Sequence, residues 1–98
     1  MAQWRYELPV DYTNLTQPQR AAVREQYIKE QNGLCLHCDG DLTSKPNTQV
    51  RTFAVDHSLF PSGFFDHPIH LQHDHDTGMT EGAVHAYCNA VMWQYEGR

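Results

Sequence analysis

The chain has 98 residues, enough for one domain whose modest core would gain from a metal staple. It carries 7 Lys and Arg against 12 Asp and Glu, a formal charge of −5. That balance counts against a broad basic surface for non-specific nucleic-acid binding, but not against a compact site where bound metal supplies positive charge.

Several features bound the class further. No apolar run approaches membrane-spanning length, and the N-terminus MAQWRYELPVDY lacks the basic start and apolar run of a signal peptide. Three cysteines cannot pair off fully, so a soluble protein of a reducing cytoplasm is expected rather than a disulfide framework. Seven histidines are many for this length, and His57, His67, His70, His73 and His75 crowd together.

In chain order, residues 1–15 carry Trp4, Tyr6, Leu8, Pro9, Val10, Tyr12 and Leu15, an arm expected to pack on the core. Thr16 is suited to an N-cap and Pro18 to a first helical turn, so a helix is expected from about Pro18 to Gln31 within residues 16–32. Ala22, Val23 and Tyr27, with Ile28 or Gln31, give it an apolar stripe, and Asn32-Gly33 ends it. Arg20 and Arg24 are expected on its solvated face, with a phosphate contact as the alternative.

Cys35-Leu36-His37-Cys38-Asp39-Gly40 has the form of a zinc knuckle. A redox CxxC would follow a strand and open a helix, whereas here a helix ends just before the motif. His37 is expected to be exposed. After the polar loop Ser44–Thr48, a strand is expected over Val50–Phe60, a turn at Pro61-Ser62-Gly63, and a returning strand over Phe64–His75. Alternation along that return puts Ile69, Leu71, His73 and His75 on the core face, and His70, Gln72 and Asp74 on the other. His67 and His70 are expected at the surface. A short strand Met79–Val84 then leads into a helix from about Ala86 to Tyr95, with Val84, Cys88, Val91, Met92 and Tyr95 inward and Trp93 in the core or on its rim.

Two pairs of soft ligands, Cys35/Cys38 and His85/Cys88, can close a tetrahedral zinc site. Between them lies His73-Asp74-His75-Asp76, and Asn89 follows the last ligand directly. The order Gln31-Asn32-Gly33-Leu34-Cys35-Leu36-His37-Cys38, then His73-Asp74-His75-Asp76-Thr77-Gly78, then Gly82 and His85-Ala86-Tyr87-Cys88-Asn89, resembles the HNH (ββα-metal, His-Me finger) nucleases. Within them it is most similar to the recombination endonuclease VII branch.

The resemblance implies an α+β fold: a single zinc-stapled ββα-metal domain over residues 1–98. Its core would span residues 33–98, with an N-terminal helix and an extra β-hairpin. It implies structural zinc on Cys35, Cys38, His85 and Cys88, with His85 where the family usually has cysteine. It implies a metal-dependent DNA endonuclease in which His73 is the general base. Asn89 would help hold a catalytic divalent ion, magnesium first, with Asp74 as a further ligand and His75 as a further catalytic residue.

One departure stands out, because Gln72 occupies the place of the family's metal-binding aspartate. Asp74, His75 or Asp76 takes over, or a softer ion such as manganese, nickel or zinc is used, or the site is inactive. Val55-Asp56-His57 offers a rival register, with Asp56 as ligand and His57 as base. In the expected hairpin the two candidates would lie roughly 16 Å apart. The expected partner is DNA, duplex, with branched or nicked duplex and a homodimer as further expectations, and no membrane. Trp4, Tyr6, Phe64, Phe65 and Trp93 are candidates for a dimer interface. The alternative is a degenerate nuclease fold that binds a host protein, in bacterial or phage-infected host cytoplasm.

Overall fold

The first helix begins where its side chains can satisfy its own free N–H groups. In the computed structural model, which describes residues 6–96, α1 spans Gln17–Glu30. Thr16 caps it: its hydroxyl accepts the Gln19 N–H at 3.4 Å, and the Gln19 side chain accepts the Thr16 N–H at 2.8 Å. Asn32 and Gly33 end it with φ of +57° and +75°, and the Gly33 N–H donates to the Ile28 carbonyl at 2.8 Å. This is the expected helix to within a residue or so.

The strand expected over Val50–Phe60 is not formed. A single helical turn, α2 (Thr48–Arg51), and a 3-10 turn at His57–Leu59 occupy that stretch instead. Local acceptors explain the change. The Asn47 side chain takes the Gln49 N–H, and Asp56 Oδ1 takes both the N–H and the hydroxyl of Ser58. Short polar side chains that bond the nearby backbone favour turns over a ladder. Residues 61–68 continue as turns, with Phe64 N–H on the Pro61 carbonyl, Asp66 N–H on the Gly63 carbonyl, and Ile69 N–H on His67 Nδ1. The extra β-hairpin is therefore absent among the described residues, and with it the basis for the 16 Å separation.

The sheet is one antiparallel pair, β1 (Ile69–His73) and β2 (Thr80–His85), followed at once by α3 (Ala86–Glu96). Ile69 faces His85 and Gln72 faces Gly82, but His73 faces Thr80, so Glu81 is an extra residue on β2. That bulge breaks the simple alternation expected along β1. Leu71 and Gln72 are both buried, and His73 no longer continues one uninterrupted face.

Two apolar clusters hold these elements. Leu42, Val50, Ala83, Val84, Cys88, Val91 and Met92 form one with Cys35. Leu15, Val23 and Leu71 form the other, and Tyr6, Leu8, Val10 and Tyr12 of the arm pack on it. Val23 and Val84 are wholly buried, and each such side chain stabilises by about 1.5–3 kcal/mol. The arm also bonds the hairpin: the Tyr12 N–H donates to the Gly78 carbonyl at 2.8 Å, and the Thr80 N–H to the Val10 carbonyl at 2.9 Å. Trp4 lies outside the described residues.

Tyr95 was expected inward but is half exposed, with its ring against Phe53 at 5.2 Å and its hydroxyl on the Ala54 carbonyl. Trp93 is a rim aromatic. Among the described residues no helix is long and apolar enough to cross a membrane.

Candidate functional site

The knuckle, the end of β2 and the start of α3 converge on one cluster. The ligand atoms of Cys35, Cys38, His85 and Cys88 all lie within 4.8 Å of one another. His85 Nδ1 is 3.5 Å from Cys38 Sγ and 3.6 Å from Cys88 Sγ. A tetrahedron with Zn–S near 2.3 Å and Zn–N near 2.05 Å has an N···S edge of about 3.6 Å. The donor set and its spacing therefore fit zinc, and these four residues can hold a metal such as zinc.

The surroundings suit that role. His85 Nε2 bonds the Asp41 carbonyl at 2.8 Å, which fixes the ring and leaves Nδ1 for the ligand position. The His37 and Gly40 N–H groups each donate to a thiol sulfur at 3.4 Å. Asp39 turns the knuckle with φ of +62°. A Cβ on Gly40 would lie 3.3 Å from Cys38 Sγ. Hydrogen bonding from Cys88, opposed by burial, lowers the Cys35 pKa, while the same bond together with burial raises that of Cys88. Closely packed thiols share protons in this way until a cation lets them all ionise.

The knuckle is tied to β2 by an amide that acts as a spare peptide group. Gln31 Oε1 accepts the Ala83 N–H at 2.9 Å, and Gln31 Nε2 donates to the carbonyls of Ala83 at 2.9 Å and Leu34 at 2.7 Å. The Leu36 N–H donates to the same Ala83 carbonyl at 3.0 Å. This close approach needs Gly82, where a Cβ would lie 2.6 Å from Gln31 Oε1 and 2.8 Å from Leu36 Cδ2. The helical spacing offers Gln31, or Ile28, only as a stripe residue, and nothing local marks the Gly82 contact.

An open cleft of about 590 Å³ runs along β1 and brings together His70, His73, His75, Asn89, Arg20 and Arg24. The His73 ring stacks on Tyr12, with centroids 4.0 Å apart and planes 6° apart, and lies 4.9 Å from the His75 ring. Burial, followed by the charges of His75 and Arg20, lowers the His73 pKa, so its imidazole is neutral and able to accept a proton near neutral pH. His70, expected at the surface, is instead engaged on both sides. Its Nε2 bonds the Phe64 carbonyl at 2.7 Å and its Nδ1 the Asn89 Nδ2 at 3.0 Å. This pairing implies an Nε2–H donor with Nδ1 as acceptor, and it leaves the Asn89 amide oxygen as the atom suited to a cation. Burial lowers the His70 pKa. No period-two argument finds His70, because its partners come from the 61–68 turns and from α3.

Other expected residues lie elsewhere. Asp74 Oδ1 accepts the N–H groups of Asp76 at 2.7 Å and Thr77 at 3.0 Å, so its carboxylate organises the hairpin turn and does not line the cleft with Asn89. Gln72 does line the cleft, but its Nε2 bonds Glu81 at 3.0 Å and its Oε1 is buried without a partner. Asp56 is held by Ser58, which lowers its pKa, while His57 lies 4.9 Å from the Phe65 ring. Neither lines the cleft.

The cleft's donors suit some cations better than others. Asp66 is the carboxylate among its lining residues, and the other polar groups are imidazoles, amides, guanidiniums and the hydroxyls of Tyr12 and Ser62. Magnesium prefers several hard oxygen donors, so this set does not fit it; imidazole suits manganese, nickel or zinc.

No protein-family profile, curated protein or solved structure matches this chain.

Proposed function

We propose that the protein is a zinc-stapled endonuclease of the HNH type, hydrolysing phosphodiester bonds of DNA with His73 as general base. The observation that carries this reading is the single cleft that gathers His73, His75 and Asn89 on a ββα arrangement, apart from the zinc ligands. His73 would take a proton from the attacking water through its neutral ring. The Tyr12 stack limits the rotation of that ring. His70 holds Asn89 by its amide nitrogen. His75 and Asn89 would hold a divalent ion that tolerates imidazole. Such an ion, when bound, neutralises charge on the phosphate and the leaving oxygen.

A second reading has a specific observation behind it. Gln72 is tied to Glu81 and the Asn89 amide to His70, so the fold can serve as a zinc module that binds a host protein without cleavage. Plasmid nicking by zinc-loaded protein across magnesium, manganese, nickel and zinc separates the two. Nicking with manganese or nickel, lost in His73→Ala and kept in His57→Ala, is the expected result. Loss only in His57→Ala moves the base to the Asp56-His57 turn. No nicking by folded protein with any ion favours the binding module.

A further inference from the structure

Arg20 and Arg24 were expected on a solvated face of α1. They stand four residues apart on one side of that helix, and both line the cleft. Each has its Nε buried with no hydrogen-bond partner. Among the described residues no carboxylate pairs with either guanidinium, in a chain with a net charge of −5. Arg20 stacks on Tyr12, with Cζ 3.9 Å from the ring centroid, and donates to the Tyr12 carbonyl at 3.3 Å. His73 stacks on the same ring at 4.0 Å. Two groups that close to one centroid must lie on opposite faces, so Tyr12 separates the Arg20 guanidinium from His73 by about the thickness of two stacked layers.

A half-buried guanidinium without a carboxylate partner keeps its outer N–H donors for an anion, and two in one cleft suit one. Of the groups around them, His70, His73 and Tyr12 bring no negative charge, and Asp66 is the carboxylate of the cleft lining, with no ion pair to either arginine. The planar guanidinium fork matches a phosphate through paired hydrogen bonds.

We propose that Arg20 and Arg24 form a phosphate clamp that seats the sugar-phosphate backbone of a nucleic acid in the cleft, beside the Tyr12–His73 stack. This deepens the nuclease reading and rests on it for the identity of the polymer. It also reconciles an acidic chain with a nucleic-acid partner, since two unpaired cations at one place replace a basic surface.

The test is anisotropy titration of a labelled DNA duplex with the zinc-loaded full chain, without other divalent ions, across salt concentrations. Circular dichroism checks that each variant is folded. Arg24→Gln should weaken binding roughly tenfold and flatten the salt dependence by about one unit of slope. Arg20→Gln with Arg24→Gln should flatten it further, and Arg24→Lys should restore the slope. Unchanged affinity and slope in the folded double variant overturns the clamp, as does a wild-type protein that does not bind duplex. If inorganic phosphate raises the melting temperature through Arg24 while duplex does not bind, the cleft serves free phosphate and the nucleic-acid assignment falls. Arginine-dependent binding without cleavage by any ion keeps the clamp and overturns the nuclease. Cleavage with arginine-independent binding does the reverse.

Discussion

At the α3 end of the hairpin, His85 has one ring nitrogen on the Asp41 carbonyl and the other against two thiols. At the turn end, His73 is held chiefly by a ring stack and shares its cleft with arginines whose Nε donors are orphaned. The same side chain is saturated in one place and underused in the other. A saturated polar cluster stabilises, while an unsatisfied one in an open cleft leaves binding capacity for a ligand.

The contrast can be broken most severely at the saturated end. Cys88→Ala, or zinc removal by a chelator, should abolish cooperative unfolding. Structural zinc contributes about 10–16 kcal/mol in comparable small sites, against a total stability of about 5–15 kcal/mol for a domain. Loss of the thermal transition by circular dichroism, restored by zinc, checks this. A zinc-free protein with the wild-type transition would show that the four ligands are incidental. His73→Ala, at the other end, should leave that transition in place while lowering nicking by about 10²–10⁴-fold.

A smaller effect is expected where the knuckle meets β2. Gly82→Ala places a methyl 2.6 Å from Gln31 Oε1, and should cost about 1–3 kcal/mol in urea unfolding. Gly82→Ala with wild-type stability would mean that the Gln31 amide is not held as described.

The smallest effect sharpens the cleft end. His70 and His73 both titrate below their ordinary value of 6.5 in the folded chain, chiefly through burial. Below 6.5 the unfolded chain binds protons that the folded chain still refuses, so stability falls as pH drops through that window toward the lowered values. Protonation of the zinc ligands adds to the acid loss. The contribution of His70 is therefore the difference between wild type and His70→Gln in melting temperature from about pH 7.5 to about pH 5.5. The variant should lose less on acidification; equal losses would remove His70 from the account.

Much of this was legible locally. Thr16, Pro18 and Asn32-Gly33 bounded α1, and the two ligand pairs around residues 35–38 and 85–88 named the metal cluster, because each signal lies within a few residues. The central segment was not legible. Val50, Phe53, Val55 and Phe60 have the composition of a strand, but the Asn47 and Asp56 side chains commit the backbone to turns. The cleft was half legible. His73, His75 and Asn89 were picked out, while His70 and the arginines were placed at the surface. Their burial depends on the arm and the 61–68 turns folding over them, contacts between stretches far apart in sequence. The bulge at Glu81 likewise has no sequence mark and redirects His73.

The metal cluster joins Cys35 and Cys38 to His85 and Cys88 across about half the chain. In kinetic terms it is a long-range closure, and long closures slow folding because the chain must search before any contact rewards it. A zinc ion captured first by the adjacent cysteines would offer a high-affinity target to the distant pair and shorten that search. The order in which metal and chain meet thus sets how fast the hairpin finds its place, and with it how quickly the cleft exists at all.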